Sequence, residues 1–172
     1  MIRSFFYVSA ILILIACDNG SVSYRSNDLN DANVYLSTSP YSDVIANCIR
    51  AISEQEWCTL DTLPFLGMDT TNPDIADIMN RVVVSHTWMG ERFEEVLNTL
   101  PAEMLPLFKA VTAIVIDDDI RPAYYTRGTA AIYLDPAFLW LSLSEKRSIN
   151  PKEDFRSNFA NDLNFRALFR YV

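Results

Sequence analysis

Three groups of side chains in this sequence are of the kind that does chemistry. His86 is the one histidine of the chain and sits in Val84-Ser85-His86-Thr87-Trp88. An imidazole titrates near neutral pH and suits a general base, but it needs a nucleophile and an orienting acid at hydrogen-bond distance. Ser85 adjoins it; on a helix, successive side chains point about 100° apart, which places the pair badly for proton transfer. A histidine hydrogen-bonded at a helix packing surface is the competing reading. Asp117, Asp118 and Asp119 are consecutive carboxylates that would suit a hard cation such as Ca²⁺. The alternating acids, glycine and closing glutamate of a calcium loop are missing, so the run also reads as a solvated turn, with Arg121 neutralising one charge. Tyr124, Tyr125 and Tyr133, with Phe138 and Trp140, would line a ligand groove or pack a core. HExxH, GxSxG, phosphate-loop and dinucleotide motifs are all absent from the sequence. No catalytic residue, metal ligand or cofactor is therefore assigned.

These side chains depend on the elements that carry them. Ser42 is positioned to cap a helix through about Trp57, with Val44, Ile45, Cys48, Ile49 and Ile52 as one apolar stripe. Asn72-Pro73 reads as the start of a long helix that stops at Pro101, with His86 on it and Gly90 as a point of kinking or division. A short helix is expected around Glu103–Lys109. The period then changes. Val111–Ile116 and Ala130–Leu134 read as strands, joined by a connection that carries the aspartates and Tyr124 and Tyr125. Asp135-Pro136 ends the second strand, Ser142 with Glu145 fits a capping box, and a last helix runs from about Phe159. The expected fold is α+β: a helical N-terminal half packed on a small β-sheet from the C-terminal half.

Composition narrows the setting. Apolar residues make up 50% of 172, enough to fill a core. The net charge of −8 excludes a nucleic-acid partner, because a phosphate backbone requires a basic face. It also argues against electrostatic docking on anionic lipid, which leaves Cys17 as the expected membrane attachment. At the N-terminus, Arg3 precedes the uncharged apolar run Phe5–Ile15. At ~1.5 Å per residue that run spans roughly 16 Å as a helix, about half a bilayer core, which fits an export signal better than a membrane span.

Leu14-Ile15-Ala16-Cys17 resembles the lipobox of bacterial lipoproteins. The resemblance implies a signal peptide over residues 1–16, cleavage before Cys17, and lipid on Cys17 that anchors the chain to a membrane and faces it to the periplasm. Asp18 resembles an inner-membrane retention signal, so the inner membrane is favoured over the outer. Residues 17–41 then form the lipidated cysteine and a Ser-, Asn- and Asp-rich tether, in which Val34–Leu36 would pair as an edge strand. Residues 42–172 form one domain.

Export bears on the other two cysteines. With Cys17 taken by lipid, Cys48 and Cys58 remain as a pair in an oxidising compartment, where a disulfide is expected over two buried free thiols. Two functions follow from the whole reading. The first is a non-enzymatic envelope lipoprotein, a binding or structural module. The second rests on the order helix, strand, connection, strand, which over about 60 residues resembles the segment preceding the zinc helix of zincin-like peptidases. That resemblance implies a fragment of a lipid-anchored metallohydrolase whose catalytic motif lies beyond Val172. The apolar stretch Phe165–Val172, without a polar tail, suits a chain cut short, or a terminal helix docked on the core.

Overall fold

The computed structural model describes residues 29–50 and 56–154; residues 1–28, with Cys17, and the helix expected from about Phe159 lie outside them. Among the described residues, five strands form one mixed sheet: β1 (Asn33–Val34), β2 (Val82–Val84), β3 (Ile114–Ile116), β4 (Tyr124–Thr126) and β5 (Ala131–Leu134). Their order across the sheet is β1-β2-β3-β5-β4. The central strands β2, β3 and β5 run parallel, and β1 and β4 close the two edges antiparallel. Helices α1 (Ile45–Ile49), α2 (Leu66–Asp69), α3 (Ile75–Met79), α4 (Thr87–Thr99) and α5 (Leu143–Ser148) complete the fold, with 3-10 turns at Leu29–Asp31, Ala102–Ala110 and Pro136–Phe138.

The fold is α+β, as the sequence indicates, but the sheet is not confined to the C-terminal half. The long helix expected from Asn72 to Leu100 is three elements. Asp74, not Asn72, caps α3, and it does so through a reciprocal capping box with Asp77. The chain then enters β2, whose three valines are all buried. A strand covered on both faces shows no alternation, so its apolar run also satisfies a helical spacing. Helix α4 begins only at Thr87 and runs unbroken through Gly90.

The N-terminal segment also differs. Helix α1 starts after Val44 with no side-chain cap; Ser42 instead lies in a turn, donating its N–H to the Ser39 carbonyl. The helix ends at Ile49, and Trp57 is outside it, its indole lying over Gly128. Arg50 reaches back to donate to the carbonyls of Leu29 (2.9 Å) and Ala32 (2.6 Å). Leu29 and Ala32 are buried, so the chain from residue 29 onward belongs to the folded body, where a tether through residue 41 was expected. The edge strand expected around Val34–Leu36 is present as β1.

Apolar side chains pack both faces of the sheet. On one, Val83, Val115 and Tyr133 meet Leu29, Ile45, Ile49 and Leu63. On the other, Val82, Ile114 and Ile116 meet Met89, Phe93 and Leu97 of α4 together with Ile78 and Leu66. Phe93 and Phe108 add an edge-to-face ring pair at 6.3 Å, a geometry worth ~1 kcal/mol beyond burial. Cys48 and Cys58 form a disulfide, with Cα atoms 5.3 Å apart. It fastens the end of α1 to the loop that leads to α2.

Candidate functional site

In an open sheet with parallel strands, the carboxyl ends of those strands face outward together and are the usual place for chemistry. The last paired residues of the three central strands are Val84, Ile116 and Leu134. The residues that follow them are Ser85, Asp117 and Asp135. The sheet thus gathers along one edge two of the polar groups singled out above and adds a third, Asp135.

Ser85 and His86 occupy the junction between β2 and α4. Because His86 is the N-cap of α4 in an extended conformation, the helical rule of about 100° does not apply to them. Ser85 Oγ lies 3.1 Å from His86 Nδ1 and accepts the backbone N–H of Asp118 at 3.0 Å. Its hydroxyl also lies 3.5 Å from Met89 Sδ. Ser85 thereby pins the turn after β3 to the start of α4. Among the described residues, the imidazole of His86 is hydrogen-bonded to Ser85 and no carboxylate orients the ring. A nucleophile–base–acid set is therefore incomplete there.

The three aspartates part company. Asp117 is 1% exposed. Its Oδ1 accepts the Asp119 N–H at 2.9 Å, and among the described residues its Oδ2 has no hydrogen-bond partner. Burial pushes the carboxyl up to about 6, and the negative charges of Asp118, Asp119 and Asp31 push the same way. Asp119 is held from outside by Asn150 Nδ2 (2.7 Å) and Lys152 Nζ (3.2 Å). Arg121 does not neutralise this run. It pairs with Asp135 at 3.2 Å and donates to the Lys152 carbonyl at 3.0 Å. The first aspartate is thus buried, where a solvated turn was one expectation. Among the described residues, no three His, Cys, Asp or Glu side chains are grouped to hold a metal ion.

The tyrosines do not form one groove. Tyr124 and Tyr133 stack face to face at 4.5 Å across β4 and β5. Tyr133 is 3% exposed, and its hydroxyl donates to the Ile49 carbonyl at 2.8 Å, which ties β5 to α1. Tyr125 points to the opposite face and is 53% exposed. A cavity of about 230 Å³ lies beside the disulfide, lined by Leu63, Phe65, Thr112, Arg127 and Ala130. That is smaller than the ~300 Å³ at which ligand pockets usually begin. Its walls come from residues far apart in the chain, so no local signal announces it.

No family model, curated protein or solved structure matches this chain.

Proposed function

We propose that the protein is a bacterial envelope lipoprotein, held to a membrane by lipid on Cys17 and acting there as a non-enzymatic binding or structural module. The observation that carries the reading is Leu14-Ile15-Ala16-Cys17 directly behind the apolar run Phe5–Ile15. One acyl chain anchors marginally and two or three anchor firmly, at ~0.8 kcal/mol per buried methylene. The Cys48–Cys58 disulfide supports export, because such bonds persist where the compartment is oxidising. Among the described residues, no helix is long and apolar enough to cross a membrane. In this reading the domain stands on the periplasmic side and Asp18 favours the inner membrane.

The test is acyl labelling in a bacterial host. The wild-type chain is expected to take up labelled fatty acid and lose residues 1–16, and Cys17→Ser is expected to do neither. Unchanged labelling of Cys17→Ser overturns the reading. The metallohydrolase alternative keeps one point in its favour, the order α4, β3, connection, β5. An in-frame or frameshifted HExxH downstream of Val172 in the genomic sequence would support it.

A further inference from the structure

Three of the four most exposed large apolar side chains of the described structure fall within six residues: Phe138 (82%), Leu141 (72%) and Leu143 (66%); the fourth, Leu107, lies apart from them in sequence. Isolated exposed apolar residues are ordinary, but three on one turn call for a partner. The turn is rigid. Asp135 caps its start by accepting the Ala137 N–H at 2.8 Å. At its other end Glu145 accepts the N–H groups of Leu141 (2.7 Å) and Ser142 (2.8 Å) and pairs with Arg92 of α4 at 2.8 Å. Trp88 of α4 donates to Ser148 at 2.9 Å. The apolar side chains are therefore presented by a braced frame.

The charges beside the turn indicate what covers it. Lys146 and Arg147 lie exposed in the last turn of α5. Lys146 Nζ sits 4.9 Å from the ring centre of Trp140. The acid between Leu143 and Lys146, Glu145, is turned to Arg92, which it shares with Glu95. A chain of net charge −8 thus shows a local cationic rim around exposed Phe and Leu, with a tryptophan at the boundary. Apolar tips, an interfacial tryptophan and flanking basic residues fit the headgroup–acyl boundary of a bilayer containing anionic lipid.

We infer that the Phe138–Leu143 turn and the start of α5 form a membrane-contact surface, which orients the domain against the bilayer. This rests on the anchored reading, since a lipidated chain meets a membrane at high local concentration and a few apolar contacts then suffice.

The test uses the full acylated chain in vesicles of phosphatidylcholine and phosphatidylglycerol with brominated acyl chains, which quench a tryptophan that enters the lipid. Wild-type fluorescence is expected to be quenched. The quenching should be lost in Trp140→Phe and in Phe138→Glu/Leu141→Glu. It should weaken with phosphatidylcholine alone, and Lys146→Glu/Arg147→Glu should abolish that lipid dependence. Phe138, Leu141, Lys146 and Arg147 are exposed and Trp140 is half-buried, and circular dichroism of each variant checks that it is folded. Equal quenching in wild type and Phe138→Glu/Leu141→Glu, or none in wild type, overturns the inference, and a lipid-independent signal overturns its cationic part. Mass spectrometry of the same sample reads acylation of Cys17 separately, so loss of the anchor and loss of the contact surface are distinguished. If no acyl group is found, the unacylated chain is added to the same vesicles and the variants are compared in the same way.

Discussion

The guanidinium of Arg81 lies against the ring of Tyr41, its central carbon 3.8 Å from the ring centre, with 1% of the arginine exposed. The same group donates to the carbonyls of Pro64 (2.9 Å) and Thr112 (3.0 Å) and pairs with Asp69. One buried cation thus joins the segment before β1's helix partner α1, the α2 loop and the start of β3. Removing it takes that donor from two carbonyls and leaves the Asp69 carboxylate with the Tyr41 hydroxyl, which donates to it at 2.5 Å. Arg81→Met is expected to cost about 3 kcal/mol. Asp69→Asn should cost less, about 1 kcal/mol, because that carboxylate is partly exposed and water screens it. Urea unfolding measures both, and a loss below that of Asp69→Asn for Arg81→Met would remove Arg81 from this role.

Asp117 makes stability depend on pH. Its carboxyl titrates at about 6 in the folded chain, above its ordinary value of 3.8. Between these values the folded state holds the extra proton, so stability is greatest below the window and falls as pH rises through it. Two pKa units correspond to about 3 kcal/mol. Asp117→Asn is expected to flatten the profile from pH 4 to 7 and to be the more stable chain at pH 8. A variant whose melting follows the wild-type curve throughout would show that the carboxyl is not the titrating group.

Gly90 sets two effects against each other. Alanine in a helix interior gains ~1 kcal/mol over glycine. At this site, however, a Cβ would run into the ring of Tyr35. Overpacking of that kind costs ~1–3 kcal/mol, so Gly90→Ala is expected to destabilise. In a Tyr35→Ala background the ring is gone and the same change should stabilise. A double-mutant cycle in guanidinium reads the sign change, and additive behaviour would mean that the ring and Gly90 are not in contact.

The Cys48–Cys58 bridge closes a loop of sequence separation 10. The chain-entropy model gives roughly 2–3 kcal/mol for a loop this short. Cys48→Ala/Cys58→Ala should lose about that much, and reductant should lower the wild-type midpoint without moving that of the variant. A reductant effect of equal size in both would point away from the bridge.

Local chemistry made several elements legible. The β-branched run ending at Ile116 and the Ala131–Leu134 run are strands, and Ser142 with Glu145 forms its capping box. Cys48 and Cys58 pair, as expected of the two cysteines left over once Cys17 is set aside. Strand β2 was hidden because a buried strand of valines has the same apolar density as the helices on either side. The site was hidden for a different reason. Ser85, Asp117 and Asp135 become neighbours only through the parallel register of three strands, and register over such distances leaves no mark in any short stretch of sequence. Asp117 looked like one of three equivalent acids, and only burial separates it from Asp118 and Asp119.

Among the described residues, the sheet ends in β1 and β4, strands of two and three residues. An exposed edge recruits a foreign strand by offering it a row of unpaired N–H and C=O groups. These borders offer very short rows, and the longer runs of β-branched residues are locked between neighbours. Polymerisation by strand addition is thereby starved of a template, even where many copies are crowded together.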